Sequence, residues 1–391
     1  MRWRRVQLAE FLDEGGIDIQ TGPFGTQLRA SDYTSEGIPV INVRNMGYGD
    51  LRPDKLEFVP SRVASRLSRH LLETHDIVFG RKGAVDRHLL VSESEAGWMQ
   101  GSDCIRLRIL TDELDAAFLS FVLRLPSHRQ WMIAQCSNKA TMASLNQDVI
   151  ARISIRLPDR ETQTRIASIL SAYDDLIENN RRRIKLLEQA ARLLYKEWFV
   201  HLRFPGHEHV TITDGVPEGW EVKTLGDVVE LKRGKYITKA LAINGDVPVV
   251  AGGLKPAYFH HVANVAGPVI TISASGANAG FVNLYHEDIW ASDCSYIDVE
   301  STDFIYYFYL LLESRQRELF GLQRGAAQPH VYPKDLIRLR FVCAPHSIVS
   351  VFEDEVSTSF GLVKNLASQN TLLASARDLL LPRLMNGEVV V

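Results

Sequence analysis

Arg81-Lys82-Gly83, closely followed by Arg87-His88, places fixed cations beside a residue with no side chain. A guanidinium or ammonium at such a turn can bond a guanine edge or a phosphate oxygen, and glycine lets the backbone come close. An ordinary basic turn would read the same way. Thr21-Gly-Pro-Phe-Gly25 is a tight turn presenting Phe24, which either flanks a groove or plugs a core. Arg62, Arg66 and Arg69 are spaced to share a helical face, an arrangement suited to phosphates, although a solvated face is its commoner meaning. Lys232-Arg233-Gly234-Lys235, with Lys239, is the densest basic stretch of the second half and suits phosphate contact or a solvated loop. Ser273, Ser275 and Asn278 offer hydroxyls and an amide instead. Asparagine pairs bidentately with adenine and serine reaches base or phosphate, but such side chains also cap their own turns. Arg324 and Gln328 stand between an interface and a structural turn.

Other chemistries lack their residues. No Pro-Pro occurs, so the Asn/Asp-Pro-Pro-aromatic loop of an amino-methyltransferase is missing. Gly234-Lys235 is followed by Tyr236 and has Val229 at the first glycine position, so it is no phosphate-cradling P-loop. Glu221-x-Lys223 and Glu230-x-Lys232 lack a nearby Pro-Asp for a metal-dependent nuclease, and there is no Gly-x-Ser-x-Gly elbow. His70, His75 and His88, or His201, His207 and His209, have no cysteine or carboxylate at ligand spacing. Cys104, Cys136, Cys294 and Cys343 form no Cys-x-x-Cys pair, which argues against zinc and against a disulfide framework. A non-catalytic binding protein is the expectation, with no metal and no cofactor of its own.

The chain has 391 residues and a net charge of −3, which excludes a uniformly basic nucleic-acid coat. Residues 1–160 carry +1 and residues 220–346 carry −1, so any phosphate contact must be local. The longest apolar run, Phe304 to Leu312, is far shorter than the roughly 20 residues of a membrane span. The basic start, Met1-Arg2-Trp3-Arg4-Arg5, is followed by no apolar signal core. A reduced cytoplasmic protein without a membrane partner is expected.

The elements that would position these residues occur twice. Trp3-x4-Leu8 matches Trp220-x4-Leu225, and the Arg81 loop matches Ser273-Ala-Ser-Gly276. Ser102-Asp-Cys104 recurs as Ser292-Asp-Cys294, and Asn146-Gln-Asp-Val-Ile150 as Pro333-Lys-Asp-Leu-Ile337. Arg324 and Gln328 align near Ser137 and Thr141. Each copy ends in a helical stretch. Ile166, Leu170, Tyr173, Ile177, Asn180, Ile184, Leu187, Ala191, Leu194 and Trp198 step by 4 and 3 without a break, a heptad seam. The second seam runs through Phe352, Val356, Ser359, Val363, Leu366, Asn370, Leu373, Arg377, Leu380 and Leu384. Leu362, Leu372 and Leu379 would widen it or shift it by one position. A helix of this length cannot bury its stripe on one small domain, so the two are expected to pair. Asn180 either fixes register against one partner or faces solvent at a seam defect. Pro382 should bend or end the second helix late. The expected architecture is α+β: two pseudo-repeated α/β domains, 1–160 and 220–346, a linker at 204–219, and long helices at 161–203 and 347–391 packed as an antiparallel coiled coil.

This pattern resembles the DNA-specificity subunit of type I restriction–modification enzymes. The likeness spans essentially the whole chain. It rests on the doubled order of domain and helix, with Thr21-Gly-Pro-Phe-Gly25, Asp76-Ile-Val-Phe-Gly-Arg-Lys-Gly83, Thr141-Met-Ala-Ser-Leu-Asn146 and Arg165-Ile-Ala-Ser-Ile-Leu170 in the first copy. The second copy supplies Gly219-Trp-Glu-Val-Lys-Thr-Leu-Gly226, Ser275-Gly-Ala-Asn-Ala-Gly280 and Ala327-Gln-Pro-His330. The resemblance implies two target-recognition domains, each reading half of a split double-stranded DNA target. It also implies helices that space the domains and dock two methyltransferase subunits, with a translocase–nuclease subunit joining for restriction. S-adenosylmethionine, ATP and Mg would belong to those partners. A coiled-coil scaffold that binds protein, and the specificity subunit of a type II methyltransferase–nuclease, are the alternatives.

Overall fold

The computed structural model describes residues 3–136, 143–325 and 327–391. It divides into two compact units: Met1–Ile177 with Thr371–Val391, and Glu178–Asn370.

In the first unit, a five-stranded sheet has the order Ile17–Thr21, Cys104–Ile109, Ile77–Gly80, His88–Leu90, Tyr48–Gly49. Ile77, Val78 and Phe79 are all buried, so this strand has no polar alternation because both of its faces are covered. A three-stranded sheet runs Glu57–Val59, Ile38–Ile41, Met99–Gln100, and Arg4–Gln7 pairs with Ser154–Leu157. The second unit repeats the plan: a four-stranded sheet of Lys232–Arg233, Cys294–Ile297, Val269–Ser273 and Val282–Tyr285, and a three-stranded one of Tyr258–His260, Val247–Val250 and Trp290–Ala291. The register repeats as well. Pro39 faces Phe58 in an antiparallel pair and Pro248 faces Phe259, while Val40 and Val249 each start a parallel pairing, with Met99 and Trp290. The mixed α and β content is therefore built twice, from the same hydrophobic pattern.

The long helices are Arg160–Tyr195, whose last turn widens through Lys196–Val200, and His346–Met385. The first begins where the Asp159 carboxylate accepts the Thr162 backbone N–H at 2.9 Å. The second runs three residues beyond Pro382 before Gly387 turns it off in a left-handed conformation. Within the first unit, Ile166, Ala167 and Leu170 share a core with Leu381, Leu384 and Met385. Within the second, Tyr195 and Trp198 pack on Phe352 at 6.0 and 5.6 Å between ring centres, while Asn180 Nδ2 donates to Asn370 Oδ1 at 3.1 Å. In both units low numbers on one helix meet high numbers on the other, so the pairing is antiparallel. Asn180 is buried and has a seam partner, which resolves its two readings. Leu362, Leu372 and Leu379 do not widen the seam: all three are exposed, and the local shift is instead at Phe360, buried beside a half-buried Ser359.

Glu353, on the second long helix, accepts the backbone N–H groups of Tyr306 and Tyr307 at 3.0 and 2.8 Å and so closes the start of helix Ile305–Ser314. Burial pushes its carboxyl up to about 7, against the lowering effect of these two hydrogen bonds. A folded-state value raised above the unfolded one favours the protonated form. The stabilisation is therefore full below the unfolded carboxyl range and is lost as pH rises through about 7. Glu353→Gln removes the charge but keeps one acceptor oxygen for the two N–H groups, so one of them loses its bond at every pH. Relative to wild type, the variant is expected to be more stable at pH 8 than at pH 4 by on the order of 3 kcal/mol. Thermal unfolding of both proteins at the two pH values checks this; an equal change at both would break it.

Candidate nucleic-acid interface

In the first unit, three loops meet at one end of the five-stranded sheet. Gly22 N–H donates to the Cys104 carbonyl at 2.9 Å, and Arg81 N–H donates to the Asp103 carbonyl at 2.8 Å. Gly83 N–H bonds the Ala143 carbonyl at 3.0 Å, and Leu145 N–H the Arg81 carbonyl at 2.8 Å. Gln147 Nε2 adds a bond to Thr21 Oγ1 at 3.1 Å. Thr21, Phe24, Arg81 and Lys82 are thereby brought together by a frame that, apart from the Gln147 bond, consists of backbone bonds independent of side-chain identity. Phe24 is 61% exposed, so it is no core plug. Lys82 forms a half-exposed ion pair with Asp103 at 3.2 Å. Arg81 and Arg87 are half-buried. A Cβ on Gly83 would meet nothing within 4 Å, and its φ of +75° turns the loop through the left-handed region. The backbone there is open to an approaching ligand.

The second unit repeats this bonding pattern. Gly234 N–H donates to the Cys294 carbonyl at 2.9 Å and Ala274 N–H to the Asp293 carbonyl at 3.1 Å. Gly276 N–H bonds Pro329 at 2.9 Å and Val331 N–H bonds Ala274 at 3.0 Å. Gly276 has φ +81° and the same open space. Ala274, Ser275 and Asp293 therefore stand where Arg81, Lys82 and Asp103 stand in the first unit. The Ser275 hydroxyl donates to the Asp293 carboxylate. Gly22 and Gly234 are equivalent too, since a Cβ on either would lie about 2 Å from a carbonyl oxygen, Gly101 or Ser292 respectively. That equivalence places Tyr236, 74% exposed, opposite Phe24. The sequence reading missed Tyr236, and the repeated glycine before the aromatic was the available signal.

A family model described as the type I restriction modification DNA specificity domain matches residues 28–189 and 217–341. The chain belongs to this family. It is 27% identical over 281 residues to the type I restriction enzyme MjaIX specificity subunit of Methanocaldococcus jannaschii, covering 65% of each protein. It is 23% identical over 343 residues to the HindI specificity subunit of Haemophilus influenzae, covering 66% of this chain and 73% of that one. The match thus spans just under two thirds of the archaeal relative. A crystal structure of the S subunit of a type I restriction–modification system from M. genitalium superposes with a TM-score of 0.64 at 17% identity. The superposition covers 98% of this chain and 96% of that one, and it supports the fold.

Other predicted contacts of this specificity-family chain fall elsewhere. Arg62 and Arg66 lie exposed on helix Ser61–Arg66, but the helix ends there. Arg69 follows in a separate turn, so the three do not share one helical face, and Arg66 pairs with Asp32 at 3.3 Å. Lys232 is held by Asp298 at 2.9 Å and Glu300 at 2.8 Å, partners that neutralise it within its own unit. Arg233 and Lys235 remain exposed. Ser273 is buried, its hydroxyl donating to the Ser275 carbonyl at 3.4 Å, whereas Asn278 is half-buried. Arg324 bonds the buried Asp335 at 2.7 Å and exchanges backbone bonds with His330, which makes it part of a structural turn. Ser137 and Thr141 lie outside the described residues. Among the described residues no group of three His, Cys, Asp or Glu could hold a metal ion, and no helix is long and apolar enough to cross a membrane.

The helices carry a second surface. Leu176, Leu186 and Leu193 are exposed, and so are Leu362, Leu372 and Leu379, each 186 residues after its counterpart. The first unit presents Leu176, Leu372 and Leu379; the second presents Leu362, Leu186 and Leu193. Each unit therefore exposes the same three-leucine set.

Proposed function

We propose that this chain is a non-catalytic, sequence-specific DNA-binding subunit that reads a bipartite target and directs methyltransferase and restriction subunits to it. The observation that carries this reading is one loop frame built twice with different side chains: Arg81, Lys82 and Phe24 in one unit, Ala274, Ser275 and Tyr236 in the other. Identical frames with different tips are what two readers of different half-sites require, because backbone bonds fix position while side chains select bases. Arg87, Arg233 and Lys235 supply local positive charge on a nearly neutral chain, so DNA affinity of the subunit alone is modest and rises when partners add phosphate contacts.

The repeated leucines give two equivalent apolar docking sites, which suits two copies of one methyltransferase subunit. A translocase–nuclease subunit would join that assembly for restriction. S-adenosylmethionine, ATP and Mg are placed in those partners, and the complex in the cytoplasm with the chromosome it modifies. The test is a methylome: the chain co-expressed with its methyltransferase in a methylation-free host, compared with the methyltransferase alone. A bipartite motif that appears only with this chain is expected. In binding assays the logarithm of the complex's affinity should fall linearly with log salt. A co-purifying pair that methylates nothing would instead favour a protein-binding scaffold.

A further inference from the structure

Asp103 and Asp293 occupy the same place in the two units, and each holds the tip residue of the loop beside it. A carboxylate on a surface that meets phosphates is unfavourable unless it serves a partner, and here it recurs with two different ones. We propose that these two aspartates prepare the tips of the two reading loops for different bases. Asp103 positions the Lys82 ammonium, a donor to guanine, and Asp293 makes the Ser275 hydroxyl an acceptor of a base amino group. The inference rests on the DNA-reading function above and adds the base class at one position of each half-site.

The chemistry follows from the groups present. The Lys82 ammonium has three donors and no acceptor, and its contact with Asp103 is an ion pair at 3.2 Å. The pair is about half exposed, so it is weak enough for the ammonium to turn its donors toward a ligand. In the major groove, adjacent acceptors O6 and N7 belong to guanine. Ser275 is different. A hydroxyl has a single hydrogen, and Asp293 takes it, because an ionised carboxylate can only accept. What Ser275 Oγ has left is lone pairs, which match the N6 amino group of adenine or the N4 amino group of cytosine. Gly83 and Gly276, with open space in place of a Cβ, leave room for a base edge next to each tip.

The experiment is the same methylome, run with four single variants: Lys82→Ala, Asp103→Asn, Ser275→Ala and Asp293→Asn. Lys82→Ala and Asp103→Asn are expected to relax one and the same guanine position in one half-site. Ser275→Ala and Asp293→Asn should relax one adenine or cytosine position in the other. Each preference should fall by about tenfold to a hundredfold. The unaffected half-site in every motif reports that the variant is folded and assembled. Asp103→Asn in the Lys82→Ala background should add nothing further, since the aspartate acts through the lysine. An unchanged motif from all four variants overturns the proposal. So does relaxation at different positions by the two members of a pair. A wild-type complex that yields no bipartite motif defeats the function itself, a distinct result.

Discussion

Replacing Leu186 and Leu193 with glutamate is expected to remove one of two equivalent partner molecules and leave the other bound. The two side chains are seven residues apart on one helix, so they point to the same side, and both are exposed in the second unit. Neither stands on the seam, where Ile184, Leu187 and Ala191 are the inward residues. Helical propensity does not explain leucine at both places, because lysine or glutamate would serve an exposed face as well. The same choice recurs at Leu372 and Leu379 in the first unit, at the repeat offset. Burying one leucine contributes roughly 1.5–3 kcal/mol, and a charge put in its place must be desolvated. Two such changes should weaken docking by about a thousandfold or more. Native mass spectrometry of the co-expressed complex should show the loss of a single methyltransferase. The Leu372→Glu, Leu379→Glu variant should do the same, and the fourfold variant should retain neither. A full complement on the fourfold variant would place docking elsewhere. Circular dichroism should be unchanged, since these residues touch no core.

The seam was legible because its period survives in local sequence. The 4 and 3 steps from Ile166 to Trp198 contain the buried positions Ile166, Leu170, Ile177, Asn180, Ala191 and Trp198. Even the polar residues of the second seam make sense once paired, Asn370 with Asn180 and Arg377 with Asp174. The flanking leucines do not join the seam, because hydrophobicity alone does not separate a stripe that faces a helix of the same chain from one left exposed. At the candidate interface, the Arg81 and Ser275 loops could be aligned through their glycines. Lys232 looked like a free cation, because Asp298 and Glu300 lie more than sixty residues on and are brought to it by strand pairing. Tyr236 escaped for a related reason. Gly22 and Gly234 are 212 residues apart, whereas the later matches are 193 to 187 apart, so a uniform offset passes over them. The aspartates were visible as part of the repeated Ser-Asp-Cys, but their role needs the hydroxyl and ammonium that the fold places beside them.

Loss of the Asp174 carboxylate is expected to destabilise the first unit by about 3–5 kcal/mol. Asp174, on the first long helix, receives Arg124 at 2.6 Å from the end of helix Ala116–Arg124, and it also bonds Arg377 of the second long helix. The three residues tie both long helices to the α/β body of that unit. The two guanidinium side chains are only 14% and 22% exposed, and that of Arg124 lies 4.3 Å from the Phe121 ring centre. Arginine does not deprotonate, so Asp174→Ala takes the carboxylate from Arg124 and leaves it beside Arg377, which keeps Asp378 at 2.7 Å, in a poorly solvated place where like charges repel. Asp174→Asn keeps an acceptor without the charge and should fall between alanine and wild type. In calorimetry the alanine variant should melt roughly 10 °C lower, given about 2–4 °C per kcal/mol for a unit of this size. The pairwise part is separable. If Asp174→Ala and Arg377→Leu together cost less than the sum of the two single changes by more than about 1 kcal/mol, the stabilisation lies in their coupling. Additive losses would mean that the pair is screened like a surface bridge and that apolar packing alone fixes the helices to the reading domain.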